Sequence, residues 1–379
     1  MRRILLIIPA SQGTIPKVAF NIYKALTEQK DLIVYVANLS PNGESGYPPN
    51  IEFKFTGKQS NWSKVVFLSK LKKRLNIDIS ISTLLGCNTL NIISKRKDKT
   101  FGIFHAPLHQ TKKLGLFTYV KCLISYKFIL NRLDRIFAVS QSVKDDLKRY
   151  VKKQVEVVYN IHDFEFIKFL AEEDLTTEEK LIFENPTILC VGNLFISKGV
   201  NRLLSSFAVA KKKMDPSVNL VFVGADGKKN VPVEFVDYAR ELGIEKNTFF
   251  LGYQTNPYKY MKRCVSLVSP SYSEGLPGVL IEALSLGKKV ITTNSSQGVW
   301  EILQCTDLYD ENLDYAFETS LGYITPNLEN REELNIQVLA DCLLKAESFL
   351  SLNDNDFIAE RFSKHTIVNH FITNEGYNS

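Results

Sequence analysis

The chain has 379 residues, of which 45% are hydrophobic, and a formal net charge of +6. This length exceeds what one compact core usually holds and favours two globular domains. No uncharged apolar run approaches the ~20 residues that a membrane-spanning helix needs. The six cysteines form no Cys-x-x-Cys pair, which argues against a metal site or a disulfide framework and favours buried thiols in a reducing, cytoplasmic compartment.

The N-terminus, MRRILLIIPAS, holds five consecutive apolar residues before Pro9. That run is shorter than the apolar core of a signal peptide, so it predicts a first buried strand that ends at a ligand loop. Strand candidates then alternate with helix candidates. The strand candidates are RILLII, LIVYVAN, IDISIST, FGIFH and RIFAVS, and the helix candidates lie near 16–29, 62–75, 88–96 and 114–132. Such alternation predicts a parallel, doubly wound sheet.

The pattern restarts at residue 187. Its strand candidates are TILCVG, LVFVG, TFFLG, VSLVSP and VITT, and its helix candidates lie near 199–213, 232–241, 257–263 and around Glu282. We therefore expect an α/β protein with two Rossmann-like domains, at 1–167 and 187–355. The acidic, polar stretch 168–186 is predicted to be the linker between them.

The segment PSYSEGLPGVLIEALSLGKKVITT, at 270–293, reads as a loop, a helix and a strand. Pro277 and Gly278 suit the start of the helix, and Gly287 suits its end. A helix N-terminus offers unpaired N–H groups and a positive dipole end, which favour phosphate. The segment therefore predicts a phosphate site at the start of this helix.

Two carboxylates flank that helix start. Glu282 lies four residues after Gly278, on the same face, and can accept hydrogen bonds from a ribose. Glu274 lies in the preceding loop and can accept them from a sugar hydroxyl. The alternative is a surface helix with a solvated glutamate. However, Glu282 and Ser285 are the only polar residues of VLIEALSL, which favours a largely buried helix whose narrow polar stripe faces a cleft.

This region closely resembles the E-x(7)-E region of family-4 glycosyltransferases, which are retaining enzymes. Other segments resemble the same family in the same order: RLDRIFAVSQSVKDDL at 132–147, VVYNIHDFE at 157–165, VGNL…KG at 191–199, NLVFVGADG at 219–227 and FLGYQTNPYKYMKRC at 250–264. The resemblance spans the chain from about residue 75 onward. It implies the GT-B fold, with two Rossmann-like domains facing across a cleft and a C-terminal helix, at about 356–379, packing back on the first domain.

The resemblance also implies an activity. A sugar would move from a nucleotide diphosphate sugar, commonly a UDP-sugar, to a glycan or lipid-linked acceptor in cell-surface polysaccharide or glycoconjugate synthesis. Glu274, Lys198 and His105 would act at the sugar and the leaving group. Donor contacts would come from Gly13, Asn193, Tyr253, Gly275, Leu276, Gly278, Val279 and Glu282. No cofactor or metal is expected, because the helix N-terminus and Lys198 can stabilise a diphosphate.

Alternatives remain for some of these residues. The alternative for Lys198 is a solvated charge at a helix start. The alternatives for His105 are that it is a hydrogen-bonded structural histidine, or that His109 is the relevant histidine. Asn193 stands where the family usually has arginine, and an amide donates to phosphate without bringing charge. The first loop has Gly13 where the family often has a glycine pair. These departures keep two other functions open: a catalytically silent GT-B partner subunit, or a GT-B sugar-nucleotide epimerase.

Charge is unevenly divided along the chain. Residues 1–165 hold 27 Lys and Arg against 12 Asp and Glu, while the remainder holds 20 against 29. No nucleic-acid-binding module accompanies the basic half, so nucleic acid is not an expected partner. The segments 62–77 and 112–135 mix lysines with aromatic and aliphatic residues, which suits an anionic membrane surface. We expect a cytoplasmic protein that binds peripherally to the inner face of the cell membrane; the alternative is ordinary sheet-packing helices with solvated basic faces.

Overall fold

The computed structural model describes residues 1–10, 14–40, 46–105, 108, 116–226, 230–346, 349, 352, 356–362, 368 and 371. The chain divides into two compact units. The first comprises Met1–His162 together with Phe362–Ser379, and the second comprises Asp163–Arg361. Each unit contains one seven-stranded sheet and its own hydrophobic core.

The first unit is built on a parallel sheet with the strand order β3-β2-β1-β4-β5-β6-β7. Its strands are β1 (Arg2–Ile8), β2 (Leu32–Asn38), β3 (Glu52–Lys54), β4 (Ile79–Thr83), β5 (Lys99–Phe104), β6 (Arg135–Ala138) and β7 (Val155–Val157). Its helices are α1 (Thr14–Thr27), α2 (Asn61–Leu75), α3 (Leu85–Ile93), α4 (Leu116–Ile124) and α5 (Gln141–Lys148). The predicted strands and helices of this half are confirmed to within a few residues, except for the helix expected at 114–132.

Local chemistry explains the ends of α2. The Ser60 side chain accepts a hydrogen bond from the Ser63 N–H, which caps the start of the helix. At the other end Asn76 adopts a left-handed conformation with φ 48°. The predicted helix at 114–132 is shorter than expected, because α4 gives way to a π-helical turn at Ser125–Ile129 and a 3-10 turn at Leu130–Arg132.

The second unit has the strand order β10-β9-β8-β11-β12-β14-β13, parallel except for the β13–β14 pair. Its strands are β8 (Thr187–Val191), β9 (Asn219–Val223), β10 (Thr248–Phe250), β11 (Ser266–Ser269), β12 (Val290–Thr293), β13 (Phe317–Thr319) and β14 (Gly322–Thr325). Its later helices are α8 (Val200–Lys211), α9 (Val233–Glu241), α10 (Tyr258–Arg263), α11 (Gly278–Ser285), α12 (Gln297–Ile302) and α13 (Glu332–Ala346). The predicted doubly wound architecture is confirmed in both units.

The stretch 168–186, which we expected to be a linker, contains regular structure. It overlaps α6 (Phe164–Ala171) and α7 (Thr177–Phe183), which both belong to the second unit. Thr176 and Glu179 form a reciprocal capping box at the start of α7. The acidic residues that suggested a linker therefore include a helix-start signal, and the boundary between the units falls at His162 rather than at residue 167.

The C-terminal part returns to the first unit. Helix α14 (Asp356–Phe362) ends where the second unit ends, and Val368 and Phe371 belong to the first unit's core. The Phe371 ring lies edge-on to that of Phe137, with 5.0 Å between their centroids. Of the helix expected at about 356–379, residues 363–367, 369–370 and 372–379 lie outside the described part of the chain.

Candidate functional site

Strand order in the second unit creates the site. Strand β8 pairs with β9 on one side and with β11 on the other, so the direction of chain winding reverses between β8 and β11. Ligands of doubly wound sheets bind at the carboxyl ends of the strands beside such a reversal. The turn after β8 carries Lys198, and the loop after β11 carries Glu274.

Two glycines allow the loops at this edge to approach one another. A Cβ on Gly199 would lie 2.0 Å from the backbone oxygen of Pro270, and one on Gly224 would lie 1.8 Å from that of Gly192. Both glycines also have positive φ values, 70° and 149°. A side chain at either position would therefore force the turn after β8 away from its neighbours.

Helix α11 starts as predicted. Pro277 occupies its N-cap position without a capping side chain among the described residues, and Gly278 is its first residue. Gly278 and Val279 are partly exposed, whereas Leu276 and the rest of the helix through Ser285 are buried. The end after Ser285 is also as predicted, since Gly287 is left-handed with φ 75°. An uncapped N-terminus with accessible first residues can bind an anion.

Glu282 lies within α11 and is only 8% exposed. Its Oε1 accepts a hydrogen bond of 3.1 Å from the Tyr258 hydroxyl. The Ser285 hydroxyl, three residues on, donates to the Glu282 carbonyl oxygen at 2.7 Å. The carboxylate of this helix is thus buried and held by Tyr258.

Lys198 and Glu274 meet although they are 76 residues apart in sequence. The Lys198 Nζ lies 2.6 Å from the Glu274 Oε1, and their side chains are 35% and 18% exposed. Lys198 is therefore ion-paired and partly exposed, rather than a lone solvated lysine. A cation and a carboxylate in contact, both reachable from solvent, can exchange partners when a ligand that carries phosphate and hydroxyl groups binds.

The other predicted donor-contact residues of this unit lie on loops that follow β8, β10 and β11. Asn193 is exposed, and its carbonyl oxygen accepts a hydrogen bond from the Phe195 N–H. Tyr253 follows β10 and is 55% exposed. Gly275 follows Glu274, and its carbonyl oxygen accepts from the Ser296 hydroxyl at 3.2 Å. The structure thus positions each of them without testing the role that we predicted for it.

His105 follows β5, at the carboxyl edge of the first unit's sheet. Its Nε2 is buried and has no hydrogen-bond partner among the described residues. Burial lowers the pKa of this imidazole to about 4, so it is neutral near pH 7. Gly13 and His109, which we also considered, lie outside the described residues.

Sequence reasoning missed two contributors. Tyr258 holds Glu282, and only its position just after the Asn256–Pro257 turn could have suggested this. Arg202 is 2% exposed on α8 and makes a two-pronged contact with Glu332, at 2.8 and 2.6 Å. Its signal was a lone charged residue within the stretch VNRLLSSF. No cluster of three potential metal ligands occurs in the part of the chain that the structure describes.

The family follows from sequence comparison. Residues 16–166 match the family described as Glycosyltransferase Family 4, and residues 148–316 match the family described as Glycosyl transferases group 1. The two matches together include most of both units. The chain belongs to the group 1 glycosyltransferases of family 4, and it is a glycosyltransferase.

Individual relatives support this assignment. An uncharacterized glycosyltransferase of Methanocaldococcus jannaschii is 26% identical over 295 residues, which cover 76% of this chain and 71% of that one. The N-acetylgalactosamine-N,N'-diacetylbacillosaminyl-diphospho-undecaprenol 4-alpha-N-acetylgalactosaminyltransferase of Campylobacter jejuni is 33% identical over 183 residues, which cover 46% of this chain and 47% of that one. This chain thus aligns with about half of the Campylobacter protein.

A solved structure supports the fold. The HepE protein of Anabaena, determined with UDP-glucose, superposes with a TM-score of 0.73 at 17% identity, covering 98% of both chains. This likeness confirms the GT-B fold that the sequence predicted.

Proposed function

We propose that this glycosyltransferase moves a sugar from a UDP-sugar to a glycan or lipid-linked saccharide acceptor, with retention at the anomeric carbon and without a metal. The observation that carries the proposal is the contact between Lys198 and Glu274 at the reversal of strand order. It brings together one group suited to a diphosphate and one suited to sugar hydroxyls.

In the proposed reaction, the bond between the sugar C1 and the β-phosphate oxygen breaks, and the acceptor hydroxyl oxygen bonds to C1 on the same face. The acceptor proton passes to the departing diphosphate. Lys198 and the N–H groups of Gly278 and Val279 stabilise the negative charge on that leaving group. Glu274 accepts hydrogen bonds from hydroxyls of the donor sugar and so orients its C1.

Glu282 is proposed to bind the ribose. Tyr258 donates to its Oε1, which holds the carboxylate in one orientation. A carboxylate accepts several hydrogen bonds, so it can receive one or both ribose hydroxyls as well. Asn193 contributes an uncharged donor, which leaves Lys198 and the helix N-terminus as the principal groups for the diphosphate.

The choice of donor and acceptor draws on the relatives. The Anabaena protein was solved with UDP-glucose, and the name of the Campylobacter relative specifies a diphospho-undecaprenol-linked saccharide. We infer that this chain uses the same classes of donor and acceptor in the synthesis of a cell-surface glycan.

The test is a panel of UDP-, GDP- and ADP-sugars, each with and without a membrane lipid extract. Nucleotide release and product mass are measured, and NMR reports the anomer. We expect release from a UDP-sugar that depends on the extract and yields the α-product. Glu282→Ala should abolish it, whereas Glu234→Gln, at an exposed glutamate of α9, should leave it unchanged.

The outcomes separate the competing functions. Binding of a sugar nucleotide without transfer or hydrolysis indicates a silent partner subunit, which the asparagine at position 193 would explain. Conversion of the sugar nucleotide without any acceptor indicates an epimerase. Full transfer by Glu282→Ala, or loss of activity after metal chelation, overturns the corresponding part of the proposal.

We also propose that an anionic phospholipid bilayer binds a groove between α2 and α3. The groove has a volume of about 410 Å³, and its lining includes Trp62, Val66, Lys70, Ile93 and Arg96. Trp62 is 72% exposed and Ile93 is 53% exposed. Exposed tryptophan flanked by cations suits the boundary between lipid headgroups and acyl chains.

Charge favours lipid over other occupants of this groove. Helix α2 carries four Lys and Arg residues that are at least partly exposed, besides the buried Lys72, and no Asp or Glu. The turn after α3 adds the basic run KRK at 95–97, in which Lys95 pairs with Asp134. Each cation near an anionic membrane contributes about 1 kcal/mol. No helix in the described ranges is long and apolar enough to cross a membrane.

Vesicle sedimentation tests this surface. Wild-type protein should sediment with vesicles of phosphatidylcholine and phosphatidylglycerol, and much less with phosphatidylcholine alone. Trp62→Ser and Lys70→Glu should each weaken binding, roughly tenfold for the tryptophan. Phe169→Ser is a matched control, because Phe169 in α6 is also 72% exposed. Equal binding by Trp62→Ser and wild type would rule out this groove.

A further inference from the structure

A buried arginine connects three segments beside the candidate site. The Arg202 side chain is 1% exposed and forms two hydrogen bonds with the Glu332 carboxylate. Its Nη1 donates to the Asn327 Oδ1 at 2.7 Å, and its guanidinium carbon lies 4.3 Å from the centroid of the Tyr272 ring. Arg202 therefore joins α8, the start of α13 and the loop after β11.

The residue that this network holds most closely is Tyr272. The Asn327 Nδ2 donates to the Tyr272 carbonyl oxygen at 2.8 Å, and the Tyr272 hydroxyl donates to the Glu332 Oε1 at 3.3 Å. The Tyr272 N–H donates to the Ser197 carbonyl oxygen at 3.1 Å. Its backbone is thus fixed on both sides of the residue, and its ring lies against the guanidinium.

These contacts act on the spacing of Lys198 and Glu274. Tyr272 lies two residues before Glu274, and Ser197 lies immediately before Lys198. The hydrogen bond between Tyr272 and Ser197 therefore ties the two loops together beside their charged side chains. Only a planar guanidinium can bind a carboxylate in two places while it stacks on a ring, so lysine cannot replace Arg202 here.

Electrostatics keep the network closed. Burial by itself would raise the pKa of Glu332, but the hydrogen bonds from Arg202 and Asn335 outweigh burial, so the pKa is lowered. The carboxylate consequently stays ionised at neutral pH, opposite a guanidinium that is always charged.

We propose that Arg202 is a positioning residue that holds Glu274 and Lys198 at the separation required for sugar transfer. The inference rests on the proposed function. It goes further because it assigns a role to a residue that does not touch the donor. The network sets the position of the Glu274 loop, and the Lys198–Glu274 contact follows from that position.

A similar arginine in the first unit serves as a control that distinguishes a positioning role of Arg202 from a role in stability alone. Arg135 also bonds a carboxylate twice, that of Glu156, and lies 4.8 Å from the centroid of the Phe137 ring. It lies on β6 of the first unit, whereas Lys198 and Glu274 belong to the second. Arg135→Lys should therefore resemble Arg202→Lys in its effect on stability but not in its effect on the loop.

The first measurement is hydrogen–deuterium exchange of the full chain. The peptide that covers 270–277 should exchange at least about tenfold faster in Arg202→Lys, because Tyr272 loses the guanidinium that holds its ring and so keeps its N–H on the Ser197 carbonyl oxygen. Asn327→Ala should do the same and leaves the Arg202–Glu332 pair intact. Arg135→Lys should leave this peptide unchanged. Wild-type exchange of 270–277 in both Arg202→Lys and Asn327→Ala would overturn the proposal.

The second measurement separates kcat from nucleotide affinity. In Arg202→Lys, kcat for sugar transfer should fall roughly 10- to 100-fold, while the Kd for UDP stays within about threefold, because misplacement of Glu274 affects the transition state. Faster exchange with unchanged kcat would overturn the positioning role. If wild-type protein transfers no sugar, the proposed function fails, and the exchange experiment still decides whether Arg202 orders the loop.

Discussion

Each unit contains a contact between a lysine and a carboxylate, and the two contacts have opposite surroundings. In the first unit, Lys72 and Asp98 lie 2.9 Å apart with both side chains fully buried. In the second unit, Lys198 and Glu274 lie 2.6 Å apart with side chains 35% and 18% exposed. The chemistry of the two pairs is the same, but only the second can be reached by a ligand.

Both members of the buried Lys72–Asp98 pair form further hydrogen bonds within the protein. Lys72 also donates to the backbone and side-chain oxygens of Asn91, at 3.1 and 2.6 Å, and the Ser80 hydroxyl donates to Asp98. This arrangement ties α2 and α3 to β4. Among the described residues, the Lys198 ammonium has one hydrogen bond, to Glu274, so two of its three protons remain for a ligand. We infer that the first pair stabilises the fold and the second serves binding.

The largest expected effect is on stability, in the first unit. Lys72→Met leaves the Asp98 carboxylate buried without its cation, and the free energy of unfolding should fall by about 3–5 kcal/mol. Urea denaturation measures this change. Lys73→Met, at an exposed neighbour on α2, should change it by less than about 0.5 kcal/mol. A loss below about 1 kcal/mol for Lys72→Met would show that the buried pair is dispensable.

Lys198→Met should give the reverse pattern. Its partly exposed pair contributes at most about 1 kcal/mol to stability, so the urea midpoint should hardly move. Sugar transfer should fall about 10²–10³-fold, equivalent to about 2.7–4 kcal/mol of transition-state stabilisation. Steady-state kinetics measures the loss of sugar transfer, and urea denaturation of the same preparation measures the stability. Retained transfer together with a large loss of stability would make this pair structural, like the first.

Acid should weaken the first unit before it affects the Arg202 network. The folded-state pKa of His105 is about 4 against an ordinary value of 6.5, so the unfolded chain binds its proton first. Stability should therefore fall by about 2 kcal/mol between about pH 7 and about pH 5 through this group. The lowered pKa of Glu332 affects stability in a more acidic window. The stability that ionised Glu332 contributes is lost only as pH falls below about 4.5.

The His105 effect is isolated by a variant. Urea denaturation at both pH values is compared for wild type and His105→Gln, which cannot titrate. The variant should show a smaller loss of stability on acidification. Identical losses in the two proteins would mean that His105 is not buried as a neutral group.

The smallest expected effect concerns Tyr258. Tyr258→Phe removes one hydrogen bond from Glu282, worth about 1 kcal/mol, and the Kd for UDP should rise roughly fivefold. Isothermal titration calorimetry measures this Kd. Tyr238→Phe is the control, because that hydroxyl lies 2.7 Å from the Ser205 hydroxyl, outside the site. If Tyr258→Phe binds UDP as tightly as wild type, the proposal that Glu282 binds the ribose is contradicted.

Much of the fold was readable in the sequence because its signals are local. Apolar runs such as ILLII and VITT predicted strands, and Pro277, Gly278 and Gly287 marked both ends of α11. The predicted linker at 168–186 instead overlaps α6 and α7, because the Thr176–Glu179 capping box starts a helix within the acidic stretch. The hydrogen bond from Ser285 to the Glu282 carbonyl oxygen was not readable in the sequence, because it depends on the side-chain conformation within the packed helix.

The sequence alone determined most of the strands and helices, and which residue types could bind phosphate and sugar. Tertiary structure decided which of those residues meet. Lys198 contacts Glu274 across 76 residues because strand order places β8 beside β11. Arg202 contacts Glu332 across 130 residues because α8 packs against α13. No local pattern encodes that order, since it follows from how the sheet buries its strands against one another and against the helices.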